Sequence, residues 1–379
     1  MAGIYVHIPF CRQACHYCDF HFSTYHKLIR PVLEAIGREL HLRQDYLQGA
    51  AVETIYFGGG TPSLLNPEDL QVLLDQIYEI FPVPGSCEIT LESNPDDLNK
   101  KKVRALRSMG INRLSIGAQT FHDEYLTYLN RVHTAEDIKR SFFNARECGF
   151  DNINLDLIYA IRENYTDMLK KDLVEIGNLR PEHISAYCLT IEPVTVFGRW
   201  LDKSKIPPVP DHEAAEQFEI ISEHLGLLQY DHYEISNFAL PGYFSRHNTN
   251  YWMENVYLGI GPSAHSYNLK QRQHNLDNNS RYIKSLTMGN IPATIEYLSI
   301  PNRINERILT GLRTSRGCDL NGIRKDFGVD ILGKNGDYIQ ELADKEMVIL
   351  TDGIMKLNRK GMLFADRIAS DLFVSEGEI

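Results

Sequence analysis

Short apolar runs rich in β-branched and aromatic residues recur through the first half of the chain. Each has the length of a buried strand. The runs cover residues 4–10, 54–57, 87–91, 113–116, 152–158 and 183–189. Segments with helical spacing lie between them, for example the one with apolar residues at Leu28, Val32, Leu33 and Ile36. Strands that alternate with helices over short connections build a parallel sheet. The pattern therefore predicts an α/β fold with a partial (β/α)6 barrel, and an open doubly wound sheet is the alternative.

The second half of the chain shows different patterns. Residues 203–210 are rich in proline, which cannot join a helix interior or a central strand, so they predict a rim loop or linker. A helix is predicted over residues 211–224, and residues 230–267 are predicted to be aromatic and loop-rich. Beyond Pro301, helical spacing and a hairpin signal at Asp352-Gly353 predict a small helical, winged-helix-like C-terminal domain. The predicted domains are residues 1–200, 201–300 and 301–379.

Composition and charge exclude several classes of function. The chain has 50 acidic and 39 basic residues, a net charge of −11, so its surface would repel nucleic-acid phosphates. No run approaches the ~18–20 apolar residues of a membrane span, and no secretion signal is recognisable. The seven cysteines, three clustered and four scattered, do not suggest a disulfide framework. We expect a cytoplasmic protein with no nucleic-acid partner and no transmembrane segment.

The cysteine cluster is the clearest chemical signal. Cys11, Cys15 and Cys18 follow the first predicted strand, on the edge where an α/β barrel assembles its site. Three thiolates at this spacing can hold a soft metal centre. The spacing alone leaves two interpretations open. One is structural zinc completed by His16 or His21, and the other is a [4Fe–4S] cluster held at three irons with an open fourth position.

Glycines and polar residues follow the next strands in the same way. Residues 58–62, Gly-Gly-Gly-Thr-Pro, end the second strand, and bare glycines there let backbone groups approach a ligand closely. Glu92, Asn94, Gln119 and Asp156 follow or end the third, fourth and fifth strands. Each alone could be a helix cap or a solvated strand end. Together they predict a site on one rim of the barrel.

The spacing C-x3-C-x2-C after a first strand resembles the signature of the radical S-adenosyl-L-methionine (SAM) superfamily. Further segments resemble the oxygen-independent coproporphyrinogen III oxidase family over nearly the whole chain; they lie at residues 5–11, 58–62, 92–95, 117–119, 156–159 and 258–261. This resemblance implies that the three cysteines bind a [4Fe–4S] cluster whose fourth iron binds SAM. The residues that it places at SAM are Tyr5, Tyr17, Gly59, Gly60, Thr61, Glu92, Gln119, Arg131 and Asp156. Thr190 and His265 stand where the oxidases have other residue types.

Within that family the chain is more similar to the heme-chaperone branch than to the oxidases. The oxidases carry a fourth cysteine where this chain has Phe20, and they have an N-terminal extension before the first strand. Residues 247–252, His-Asn-Thr-Asn-Tyr-Trp, resemble the H-N-x-x-Y-W signature of the chaperone branch. Imidazole is a common heme ligand, and Tyr251 and Trp252 offer flat apolar faces to a porphyrin. Without the resemblance, packed aromatics around a hydrogen-bonded histidine would be the simpler interpretation.

The resemblance therefore implies a heme chaperone that binds heme at His247, Tyr251 and Trp252. It would transfer the heme to acceptor apoproteins such as respiratory enzymes, and it implies an electron donor and a possible homodimer. His7, His16, His21 and His265 are further candidate heme ligands. One alternative is an active oxidase that oxidatively decarboxylates coproporphyrinogen III to protoporphyrinogen IX. The other is a zinc-stapled binding protein without redox chemistry. No catalytic residue is assigned.

Overall fold

A computed structural model describes residues 2–378, and six parallel strands form its centre. They are β1 (Ala2–Ile8), β2 (Val52–Gly59), β3 (Glu88–Ser93), β4 (Arg113–Gln119), β5 (Ile153–Tyr159) and β6 (His183–Cys188). Each strand pairs in parallel with the next one along the chain. All six predicted runs overlap an observed strand. The prediction of an α/β fold with sequential parallel strands is confirmed.

Helices connect these strands and bury apolar stripes against the sheet. They are α1 (Ile29–Leu42), α2 (Pro67–Ile80), α3 (Lys100–Ser108), α4 (Asp123–Tyr128), α5 (Ala135–Glu147), α6 (Thr166–Leu179) and α7 (Val196–Asp202). In α2, Pro67 begins the first turn and Glu68 and Asp69 follow it, where the helix dipole favours negative charge. Its buried residues, spaced for one helix face, are Leu70, Leu73, Leu74 and Ile77.

The sheet extends beyond both ends of the parallel series. The next elements are α8 (Asp211–Leu227), β7 (Asp231–Glu234), β8 (Asn237–Ala239), α9 (Arg246–Trp252), β9 (Val256–Ile260), β10 (His265–Tyr267), β11 (Gln271–Asn275), α10 (Asn279–Thr287) and β12 (Ala293–Tyr297). β9 pairs in parallel with β1, β10 to β12 continue the sheet antiparallel, and β8 pairs antiparallel with β6. The prediction that residues 230–267 are loop-rich is therefore wrong. Their strands are three to five residues long and form because distant strands pair with them.

A buried polar network fixes this extension to α1. Glu39 is fully buried, and its carboxylate accepts hydrogen bonds from the Gly261 N–H (2.9 Å), Asn275 Nδ2 (2.8 Å) and the Tyr282 hydroxyl (2.5 Å). Arg43, one turn further along α1, donates to the same carboxylate (3.2 Å). Burial raises the pKa of Glu39, while these four donors lower it. The network therefore positions β9 to β11 against the first helix.

The C-terminal elements surround a second apolar core. They are α11 (Ile300–Leu312), β13 (Cys318–Asp319), α12 (Leu320–Phe327), α13 (Ile331–Asp344), β14 (Val348–Thr351), β15 (Ile354–Leu357), α14 (Arg359–Met362) and α15 (Ala365–Asp371). β14 and β15 pair antiparallel, which confirms the predicted hairpin. Asp352 and Gly353 both have the positive φ that its turn requires, 53° and 79°. The domain boundaries at residues 200 and 300 stay predictions. Within residues 2–378, no helix is both long and apolar enough to cross a bilayer.

Candidate cofactor site

The inner face of the parallel strands encloses a cavity of about 410 Å³. Side chains alternate across a strand, so every second residue of β4, from Arg113 to Gln119, faces this cavity. The sequence-predicted residues that line it are Cys11, Cys15, Tyr17, Cys18, Gly59, Gly60, Thr61, Glu92, Gln119, Arg131 and Asp156. Tyr5 is not among the lining residues, and its hydroxyl donates to Nδ1 of His7 (3.2 Å). The fold thus brings eleven residues from six chain segments to one cavity.

The three thiols of the cysteine loop face this cavity together. Thr61 Oγ1 donates a hydrogen bond to Cys11 Sγ, and Arg131 Nη1 donates one to Cys15 Sγ, each at 3.4 Å. Burial raises the pKa of Cys11, and it raises the pKa of Cys18 to about 12. A cationic metal centre between the thiols would favour their thiolate forms.

The donor set fits a cluster in which each thiolate binds a different iron. The two histidines considered for zinc each have one ring nitrogen in a hydrogen bond. His16 Nδ1 donates to the Tyr128 carbonyl (2.9 Å), and His21 Nε2 donates to Asn279 Oδ1 (2.8 Å).

The glycine loop after β2 lies close to neighbouring backbone and side chains. Gly59 has a φ of 110°, and a Cβ there would lie 2.6 Å from the His7 ring. A Cβ on Gly60 would lie 2.8 Å from the backbone N and O of Phe10. The Gly59 N–H donates to Glu92 Oε2 (3.1 Å). Only glycine fits these two positions, which leaves bare backbone beside the cavity.

Arg131 connects the cysteine loop to the strand ends. Its Nη2 donates to Asn94 Oδ1 (2.7 Å) and to the Gly117 carbonyl (3.1 Å). Its Nη1 reaches Cys15 Sγ and, at 3.5 Å, the Tyr17 hydroxyl. The Arg131 guanidinium therefore holds the loop after β1 against the ends of β3 and β4.

Two carboxylates and one cation lie deeper in the cavity. Burial and the neighbouring charge of Asp156 raise the pKa of Glu92 to about 7, while Tyr56, whose hydroxyl donates to it (2.9 Å), lowers it. Burial also raises the pKa of Asp156. Arg113 is 1% exposed, and its Nε has no hydrogen-bond partner within the described residues. The pair of acidic groups suits a ligand with a positive charge.

Sequence reasoning missed Arg113 and the polar groups Tyr56, Asn154 and Ser115 that line the same cavity. The signal was present in residues 113–119, Arg-Leu-Ser-Ile-Gly-Ala-Gln, where polar or small residues alternate with apolar ones. That alternation is typical of a strand with one apolar face and one polar face.

The segment His-Asn-Thr-Asn-Tyr-Trp forms α9, at the other end of the strands. The His247 N–H donates to Glu88, the first residue of β3, and the His247 ring bonds to Thr54 near the start of β2 (2.8 Å). Thr54 and Gly60 are six residues apart along β2 and the loop after it, which is roughly 20 Å of extended chain. Asn248 lines the cavity from this end. The segment therefore lies opposite the cysteine loop.

The His247 ring has no open coordination position in this structure. Its Nδ1 is hydrogen-bonded to Thr54 Oγ1 and its Nε2 to the Tyr251 hydroxyl (3.1 Å), and the residue is 2% exposed. Burial, and then the charge of Arg113, lower its pKa to about 3, so the ring is neutral. Trp252 Nε1 has no hydrogen-bond partner in the described chain. Heme contact at His247 and Trp252 stays a prediction, and iron ligation would require the bond to Tyr251 to break.

Comparison with known proteins places this cavity in a family. The model of the radical SAM superfamily matches residues 5–172, and the model of the HemN C-terminal domain matches residues 298–364. The structure of coproporphyrinogen III oxidase (HemN) from Escherichia coli superposes with a TM-score of 0.85. It covers 98% of this chain and 90% of its own at 23% identity, so this likeness describes the fold. The fold and the cysteine-lined cavity define a radical SAM protein.

Similar proteins of known name show which family of the radical SAM superfamily the chain belongs to. Heme chaperone HemW from Bacillus subtilis is 34% identical over 97% of this chain and 98% of its own length. Heme chaperone HemW from Escherichia coli is 38% identical over 69% of each chain. A mouse protein, radical S-adenosyl methionine domain-containing protein 1, mitochondrial, is 34% identical over 97% of this chain and 86% of its own. The chain belongs to the heme chaperone HemW family.

Proposed function

We propose that this chain is a heme chaperone, which binds heme and transfers it to acceptor apoproteins. The observation that carries this proposal is the 34% identity to a named heme chaperone across 97% of the chain. Phe20, in place of a fourth cysteine, and the H-N-x-x-Y-W segment support the same branch. Respiratory enzymes are the acceptors that we propose, together with an electron donor, a cytoplasmic location and a homodimeric state.

We propose that Cys11, Cys15 and Cys18 hold a [4Fe–4S] cluster and that SAM occupies the cavity beside it. Such a cluster with SAM supplies radical chemistry when both are bound. The chain's own contribution is binding and orientation. Arg131 holds the cysteine loop, the glycine loop leaves room for a ligand, and Glu92 with Asp156 supplies negative charge for the sulfonium.

A transfer experiment tests the chaperone function directly. The full chain is loaded with heme, separated from free heme, and mixed with the apo form of a b-type cytochrome. We expect the absorption spectrum of the acceptor to appear faster than from free heme with albumin as carrier. Heme transfer that is no faster than transfer from free heme with albumin would contradict the proposal.

The cluster assignment has a matched pair of variants. Cys15→Ala should lose the broad iron–sulfur absorption while the chain stays folded. Cys148→Ala is the control, because Cys148 lies away from the cavity, with its thiol near the Lys100 carbonyl (3.7 Å). Iron and acid-labile sulfide should be unchanged in that control. A Cys15→Ala protein that kept the absorption would remove the cysteine from the cluster.

The oxidase alternative is decided by an anaerobic assay. The cluster-loaded chain is incubated with SAM, a reductant and coproporphyrinogen III, and the porphyrin products are separated. Protoporphyrinogen formed over many turnovers would make the chain an oxidase despite Phe20. We expect no turnover from protein with an intact cluster.

A further inference from the structure

Arg113 begins β4 at the inner end of the cavity, six residues before Gln119, which is roughly 20 Å of extended strand. Its side chain lines the cavity, although the residue is only 1% exposed. Its Nε has no hydrogen-bond partner in the described chain. Arginine is almost never fully buried without a paired anion, because removing its charge from water is costly. The position of Arg113 therefore indicates a partner that the chain itself does not supply.

The two carboxylates in the cavity are not that partner. Glu92 accepts a hydrogen bond from the Gly59 N–H (3.1 Å), and Asp156 accepts one from Asn154 Nδ2 (2.6 Å). Burial, and then the charge of Asp156, raise the pKa of Glu92 to about 7, and burial raises the pKa of Asp156. The Arg113 charge offsets these effects only in part, and neither carboxylate forms an ion pair with it. Both carboxylates are therefore engaged with other donors.

The groups near Arg113 toward α9 supply no free anion either. Burial, and then the Arg113 charge, lower the pKa of His247 to about 3 and also lower the pKa of His183, so both rings are neutral. Glu88, at the start of β3, accepts hydrogen bonds from the Arg246 and His247 N–H groups (3.2 and 3.0 Å). Among the described residues, Arg113 is thus a buried cation without a hydrogen-bonded anion.

The cavity offers space and a second donor at this end. Asn248 of α9 lines the cavity, and its backbone N–H donates to Ser245 Oγ (3.2 Å), which leaves the side-chain amide available. The volume of about 410 Å³, which extends from the cysteine loop to Asn248, far exceeds the roughly 30 Å³ of one water molecule. A guanidinium binds a planar carboxylate through two parallel N–H···O bonds. A carboxylate is therefore the ligand group that fits Arg113.

We propose that Arg113 and Asn248 bind the carboxylate of a small organic acid, which occupies the inner end of the cavity together with SAM. This inference rests on the proposed SAM site, because SAM carries a carboxylate of its own. The amine and carboxylate of SAM are the groups with lone pairs suited to the open iron, so they are engaged beside the cysteine loop. Arg113 lies at the other end of the cavity. The organic acid is therefore a second ligand.

Equilibrium dialysis of the full, cluster-loaded chain at saturating SAM tests this proposal. The probe is radiolabelled butyrate, and the competitor is butyramide, its neutral isostere. We expect one saturable butyrate site, at which butyramide competes at least tenfold more weakly than unlabelled butyrate. Arg113→Met removes the charge at similar side-chain length and should weaken butyrate binding at least tenfold. Arg104→Met, which removes an exposed arginine on α3, is the control and should leave butyrate affinity unchanged.

A second variant separates the guanidinium from its charge. Arg113→Lys keeps the charge but loses the planar pair of donors. Its butyrate affinity should lie between those of the unchanged chain and Arg113→Met. Circular dichroism and the iron–sulfur absorption of each variant show whether the fold and the cluster are retained.

The unchanged chain decides the proposal even if Arg113→Met does not fold. Butyrate bound no more tightly than butyramide overturns it, and Arg113 is then solvated by water alone. Equal butyrate affinity in the unchanged chain and in folded Arg113→Met overturns it as well. Displacement of butyrate by SAM overturns the second ligand and assigns Arg113 to the carboxylate of SAM. Butyrate binding without heme transfer to an acceptor would contradict only the chaperone function.

Discussion

Replacing Glu39 with alanine tests whether the buried network fixes the sheet extension to α1. The carboxylate is fully buried and accepts four hydrogen bonds. Its removal leaves Arg43, which is 4% exposed, without its ion-pair partner. Breaking a buried ion pair from one side costs about 3–5 kcal/mol, because the remaining charge is uncompensated. We expect the free energy of unfolding to fall by that amount.

Urea-induced unfolding followed by circular dichroism measures this loss. Glu34→Ala on the same helix is the matched control, because the Arg30–Glu34 pair has side chains 90% and 54% exposed. An exposed pair of this kind contributes only about 0.3–0.5 kcal/mol. Glu39→Met with Arg43→Met should recover much of the loss, since it removes both buried charges. If Glu39→Ala lowers stability no more than Glu34→Ala does, the network does not fix the extension.

Three further predictions concern the cavity. The pKa of Glu92 is about 7, and a cationic ligand needs the ionised carboxylate. The affinity for SAM should therefore fall as the pH decreases from 8 to 6, approaching about tenfold per pH unit at the acid end. Calorimetric titration of cluster-loaded protein measures this affinity, and its pH dependence should flatten in Glu92→Gln. Gly59→Ala should cost roughly 1–2 kcal/mol of strain at its positive φ, in addition to the clash with His7, and should reduce SAM affinity. Gly85→Ala is the control and should leave SAM affinity unchanged, because a Cβ there meets no atom within 4 Å. Arg131→Met should release the cysteine loop, so that iron loss to a chelator is faster at unchanged secondary structure. An unchanged rate would show that the loop holds its shape without that guanidinium.

Local sequence patterns determined the positions of the parallel strands and of most residues that line the cavity. Most of the parallel strands are short runs rich in β-branched or aromatic residues, and the cysteine loop, the glycine loop and Glu92 follow such runs directly. Parallel strands place their carboxyl ends at one edge, so residues far apart in the chain could be expected to meet there. Eleven of the twelve residues predicted for the metal and SAM sites line one cavity, and Tyr5 does not. Their roles stay predictions.

Only the tertiary structure decided the rest, because those features depend on contacts between distant segments. β9 and β10 are short runs whose strand conformation comes from pairing with β1 and with each other. The position of α9 at the start of the strands depends on Glu88 and Thr54, more than 150 residues earlier in the chain. A one-dimensional pattern specifies periodicity and turns but not partners over such separations. The sequence thus determined where the cysteine loop stands relative to the first strand, and the fold determined which histidine ring nitrogens are already hydrogen-bonded.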